Sequence, residues 1–114
     1  MYFAVWATDQ EGTQAARLAV RDAHRARLRE PGEHPVVVVA GGPTLSESEG
    51  AMNGSLLVIE ADDIEAVRRF VAEDPYELAG VYARVEIRPW RWGLGPPRGP
   101  GTTADQNQIS ACAP

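Results

Sequence analysis

Imidazole side chains are scarce in this chain, with only His24 and His34 among 114 residues. His24 lies in a stretch of helical periodicity, with Val20 four residues before it and Leu28 four after, so it occupies or borders a partly buried line of that helix. A shielded imidazole there is suited to acid-base work, and a helix histidine satisfied by a neighbour would fit the same position. His34 precedes Pro35 in a turn and is given no role. Arg21, one turn before His24, is placed either to hold an anionic group of a ligand or to stand in solvent. The most informative carboxylate is Asp74, in AEDPYELAG (residues 72–80). Proline disfavours helical geometry in the residue before it, so Asp74 must leave a preceding helix. Asp-Pro-x-Glu then reads as a new start, with Asp74 as the cap, Pro75 at the first helical position and Glu77 at the third. Capping uses part of a carboxylate's accepting capacity and leaves lone pairs for an imidazole N–H. Tyr76 would either pack its ring or present its hydroxyl to a ligand.

These residues need elements to position them. YFAVWA (Tyr2–Ala7) is aromatic, β-branched and too short for a buried helix, which predicts a strand followed by a turn over Asp9–Gly12. From Thr13 to about Glu30 the spacing predicts a long amphipathic helix. Ala15, Leu18, Ala19, Ala23 and Ala26 form its apolar stripe, and Arg17, Arg21, Arg25 and Arg29 run along another line. Pro31-Gly32 ends it. VVVVA (Val36–Ala40) predicts a second strand, followed by Gly41-Gly42-Pro43 and an aperiodic polar loop, TLSESEGAMNG, expected to border the site. SLLVIE (Ser55–Glu60) predicts a third strand. Asp62 with Glu65 resembles an acidic capping box opening a helix buried through Ile64, Val67, Phe70 and Val71. VYARVEI (Val81–Ile87) alternates as a fourth strand, with Val81, Ala83, Val85 and Ile87 on one face and Tyr82, Arg84 and Glu86 on the other.

The order β-α-β-β-α-β predicts an α+β, ferredoxin-like fold: a four-stranded antiparallel sheet with two helices on one face. The first three strands are apolar on both faces, whereas an open antiparallel sheet should alternate with polar residues. A second copy packed sheet to sheet is the expected cover, giving a homodimer. One domain over residues 1–92 is expected, followed by a Gly/Pro-rich, mobile tail over 93–114 with little to bury.

Composition narrows the partners. Net charge is -5 and the basic residues, all arginine, form no dense cluster, so nucleic acid is not expected. Recognition of RNA by the sheet is disfavoured as well, because SLLVIE carries no stacking aromatic. No apolar run approaches the roughly 20 residues of a membrane helix. The start, MYFAVWATDQ, lacks the basic residues of a secretory signal, which makes a cytoplasmic location the expectation. The single cysteine, Cys112, allows neither an internal disulfide nor a cysteine metal site, and no metal or cofactor is expected.

Taken together, RLAVRDAHRARL (17–28), VVAGGP (38–43), NGSLLVIEADDIEAVRRFVAEDPYELAGVY (53–82) and VEIRPWR (85–91) resemble the YCII-related, or YciI-like, family of small bacterial proteins. The combination is specific: R-x-x-H on the first helix, Gly-Pro after the second strand, Gly-Ser opening the third, and Asp-Pro-Tyr with Ala-Gly downstream. The resemblance implies a dimeric ferredoxin-like domain of the α+β barrel type whose active site is built on a histidine and an aspartate, here His24 and Asp74. It also implies polar site positions at Ser55 and Asp9. Asp22 departs from the pattern, which commonly has proline after the arginine.

A pair of this kind would work as follows. Asp74 accepts a hydrogen bond from one imidazole nitrogen and fixes the tautomer, leaving the other nitrogen of His24 as general base or acid. Without a convincing nucleophile, proton abstraction, elimination or isomerisation of a small polar or aromatic compound fits better than covalent hydrolysis. The enzyme would then be a lyase or isomerase, with Arg21, Ser55, Tyr76 and Asp9 holding substrate. The alternative is a non-catalytic dimeric module that binds a small ligand in an accessory or regulatory role.

Overall fold

A computed structural model describes residues 1–95. The expectations for the tail, including Cys112, lie from residue 96 onward outside the described residues. The elements run β1 (Tyr2–Asp9), α1 (Gln14–Arg29), β2 (Val36–Leu45), β3 (Met52–Ala61), α2 (Ile64–Ala72), α3 (Pro75–Leu78) and β4 (Tyr82–Trp90). The sheet order is β2-β3-β1-β4, with every neighbouring pair antiparallel. This is the expected α+β, ferredoxin-like fold, with a short third helix inserted before the last strand. Among the described residues no helix is long and apolar enough to cross a membrane.

Alternation along the central strands sorts the side chains. Phe3, Val5 and Ala7 of β1 and Leu57, Ile59 and Ala61 of β3 point to one face; Ala7 is buried beside Tyr76, Val81 and Tyr82, and the others with Ala66, Val67, Phe70 and Val71 of α2. The stripe predicted for α2 is therefore the one it buries, with Ile64 at its partly buried edge. Its cap sits one residue later than the spacing suggested: the Asp63 carboxylate, not that of Asp62, accepts from the Ala66 backbone N–H at 2.9 Å. On the opposite sheet face Trp6, Val37 and Leu56 are exposed, so the apolar character read on both faces of these strands is real.

Three expectations are corrected. First, β2 and β3 continue through Gly41-Gly42-Pro43 and back through Asn53-Gly54, pairing as far as Leu45 with Met52. The loop is thus reduced to a hairpin tip at 46–51, closed by the Ser46 N–H to Ala51 carbonyl bond at 2.8 Å, and it stands clear of the site. Gly54 explains part of this pairing, because a Cβ there would collide with the Ala7 carbonyl and Thr44 Oγ1.

Second, α1 is turned the other way. Ala15, Leu18, Ala19, Ala23 and Ala26 are exposed, and the helix buries Arg17 and His24 instead. Alanines bring only one methyl each to a core, so partnered polar groups on the opposite face decide the orientation.

Third, β4 carries an irregularity. Thr8 pairs with Arg84 and Asp9 with Tyr82, leaving Ala83 as an extra residue in the manner of a β-bulge. The extra residue turns Tyr82 inward, where it is buried, while Ala83 is exposed.

Candidate active site

The site assembles where α1 passes over the ends of β1 and β3 and meets α3. After α2, Asp74 adopts φ −62° and ψ 135°, the extended geometry imposed by Pro75. Its Oδ1 accepts from the Tyr76 backbone N–H at 2.8 Å, capping α3 as the spacing predicted. The same carboxylate lies 2.8 and 2.9 Å from Nδ1 of His24 through its two oxygens. A carboxylate only accepts, so Nδ1 carries a hydrogen and Nε2 is the ring nitrogen left for a ligand. Asp74 is 2% and His24 5% exposed, so the pair is screened little by water. His24 lines the cleft, and its Nε2 makes no hydrogen bond within the described residues.

Tyr76 packs its ring flat against His24, with centroids 3.9 Å apart and planes 21° from parallel. The guanidinium of Arg17 stands 4.2 Å from the same ring, a cation–π contact. Arg17 is fixed by Asp9, with Nε to Oδ2 at 2.7 Å and a second bond of 3.2 Å to Oδ1. Its remaining reach goes to the Gly54 carbonyl at 2.7 Å and Ser55 Oγ at 2.8 Å. The Tyr82 hydroxyl bonds Ser55 Oγ at 2.9 Å. Burial works against the Arg17 charge, but the hydrogen bond and charge of Asp9 outweigh it and hold the guanidinium above its ordinary value. Burial raises Tyr82 well above the usual tyrosine range, reinforced by the Asp74 charge, and burial raises Tyr76 against the opposing pull of Arg17 and Arg21. Both phenols are therefore neutral hydrogen-bonding groups at physiological pH.

A cleft of about 560 Å³ opens between α1 and β2. Arg17, Arg21, His24, Ser55 and Tyr76 line it, opposite Val36, Val38 and Pro43 of β2. Four of the six residues singled out in the sequence line it, His24, Arg21, Ser55 and Tyr76, while Asp74 stands behind His24 as its partner. Asp9 stands behind Arg17 and is no part of the cleft wall. Arg17 and Tyr82 went unremarked as site residues. Arg17 had a readable signal, lying seven residues before His24 and so two turns away on one helix face. Tyr82 had none, since its direction depends on the irregular pairing of β4.

A ferredoxin-like α+β domain with a buried imidazole–carboxylate pair beneath an arginine-lined cleft is the class that this geometry defines. Residues 1–91 match the YCII-related domain, and the chain belongs to that family. An uncharacterised protein of Haemophilus influenzae is 34% identical over 95 residues, covering 80% of this chain and 97% of that one. Protein YciI of Escherichia coli is 30% identical over 95 residues with the same coverage. Among solved structures, the 5-chloro-2-hydroxyhydroquinone dehydrochlorinase TftG of Burkholderia phenoliruptrix, in complex with 2,5-dihydroxybenzoquinone, aligns with a TM-score of 0.71 and 33% identity, over 82% of this chain and 96% of its own.

Proposed function

We propose that the protein is an enzyme acting on a small polar or aromatic compound, with His24 as general acid-base and Asp74 as its fixed partner. The observation that carries this reading is the Nδ1 contact of His24 to both oxygens of a buried carboxylate, at 2.8 and 2.9 Å, on a residue that lines a cleft. Nε2 takes a proton from a C–H or O–H group of the substrate. The released electron pair then either expels a leaving group, giving elimination, or is reprotonated by His24 at another atom, giving isomerisation. Asp74 stabilises the imidazolium formed in between. Arg21 and the Ser55 hydroxyl meet the oxygen on which negative charge develops. The similar protein TftG is a dehydrochlorinase, and loss of HCl is an elimination of this kind.

The working form is a cytoplasmic homodimer in which Trp6, Val37 and Leu56 of the outer sheet face are covered by the same face of a second copy. Their exposure in the single chain supports this arrangement.

The test is turnover of 5-chloro-2-hydroxyhydroquinone and related hydroxylated aromatics, followed by mass spectrometry of the products. Replacing His24 with Gln should lower the rate by about 10²–10⁴-fold with ligand binding retained. Unchanged turnover in that variant refutes the assignment, and binding without product in the native protein identifies a ligand-binding module instead.

A further inference from the structure

The arginines of α1 go beyond what proton transfer requires. Arg17, Arg21, Arg25 and Arg29 recur every fourth residue, and all four line the cleft. At 3.6 residues per turn such a row drifts by about 40° around the helix at each step. Arg17 is accordingly buried, Arg21 half-buried, and Arg25 and Arg29 exposed at the cleft mouth. The chain has 16 acidic against 11 basic residues, yet among the described residues no carboxylate lines this cleft. Asp9 neutralises Arg17, whereas Arg21, Arg25 and Arg29 form no ion pair within the described residues. Like charges four apart on a helix repel, so a solvated surface row gains nothing from this arrangement. A cationic groove in an acidic protein instead focuses anions toward its floor. Opposite the row, Val36 and Val38 of β2, with Leu28 of α1 beside them, offer an apolar wall for the body of a ligand.

We propose, resting on the reading of this cleft as the catalytic one, that the substrate is an organic acid. Its carboxylate or phosphate group is held by Arg25 and Arg29, and its reacting atom lies at His24. The helical rise sets the span: His24 and Arg29 are five residues apart, about 7.5 Å along the axis, the length of one substituted aromatic ring or a short acyl chain. Arginine suits the role because its planar fork binds either oxyanion through paired charge-assisted bonds.

Calorimetric titration with three probes tests the assignment: hydroquinone, 2,5-dihydroxybenzoate and phenyl phosphate. The carboxylate or the phosphate should bind at least about tenfold more tightly than hydroquinone at low salt, and which of them prevails identifies the acid group. Added salt should narrow the difference. The double variant Arg25→Gln, Arg29→Gln should abolish it without changing the melting temperature, since both side chains are exposed. Equal binding of hydroquinone, a preference that survives in the double variant, or no binding of any probe would overturn the proposal. The preference should persist in His24→Gln, so failure of the acid-base role leaves this result standing and failure of anion recognition leaves the acid-base role standing.

Discussion

The imidazole of His24 lies flat on the phenol ring of Tyr76, 3.9 Å between centroids and 21° between planes. Arg17 contacts the same ring at 4.2 Å, so α3 is docked onto α1 by an aromatic ring shared between two side chains of the longer helix. The imidazole is thereby held in two ways, by the Asp74 bond at Nδ1 and by the stack against its face.

Tyr76 separates these contributions. Tyr76→Phe keeps the stack and should change stability by less than about 1.5 kcal/mol, as volume-conserving core exchanges do. Tyr76→Ala should lose about 3–5 kcal/mol and release the His24 ring. Urea unfolding measures the first quantity and the imidazole NMR line widths the second. Full activity in the phenylalanine variant would show that the ring, not the hydroxyl, is what the site uses.

Asp74 serves two groups at once. Asparagine caps helices about as well as aspartate, so Asp74→Asn should leave α3 and the melting temperature nearly intact. It removes the charge that stabilises the imidazolium and disturbs the tautomer, so the rate should fall by about 10²–10⁴-fold. A parallel loss of stability and activity would mean that the carboxylate is structural only.

Asp9→Ala would strand the Arg17 guanidinium in a site only 2% exposed. Breaking one side of a buried ion pair is expected to destabilise the fold by about 3–5 kcal/mol, readable as a shifted denaturant midpoint. Because Arg17 also braces Ser55 and Tyr76, the same variant should weaken ligand binding although Asp9 is no part of the cleft wall.

Tyr82 sets an alkaline limit. Its folded pKa is raised above the ordinary value of 10.0 by burial and then by Asp74, so folding favours the neutral phenol. The stabilisation is complete below about pH 10 and is lost as pH rises toward the folded value, where the unfolded chain ionises first. Tyrosinate absorbance and circular dichroism should therefore change together above pH 10, and Tyr82→Phe should move the onset upward. Ionisation of Tyr82 without unfolding would contradict the burial argument.

Much of this was legible in the residues. The succession of strands and helices, the α2 stripe and the Asp-Pro cap each follow from local chemistry: alternation, helical period, and the geometry that proline forces on its neighbour. His24 was placed on a partly buried line by Val20 and Leu28, although its contact with Asp74, 50 positions away, is a tertiary fact with no local signature. Polar burial misled the assignment of α1, because Arg17 enters the core only by virtue of Asp9, Ser55 and Tyr76, which lie on three other parts of the chain. The length of the β2–β3 hairpin was hidden in the same way. Gly41, Gly42 and Pro43 carry turn character that cross-strand pairing with Leu57, Leu56 and Ser55 overrides.

The outward alanines of α1 have a mechanical meaning. Alanine is the best helix former, so Ala15, Ala19, Ala23 and Ala26 give this segment intrinsic stiffness on the face turned away from the rest of the domain. A rod that holds its own pitch can present arginines and an imidazole at fixed intervals while Ala16, Val20 and Leu28 seat its other side on the domain. Glycine at two of those alanines would touch no site residue, yet should blur the spacing of every group the rod displays.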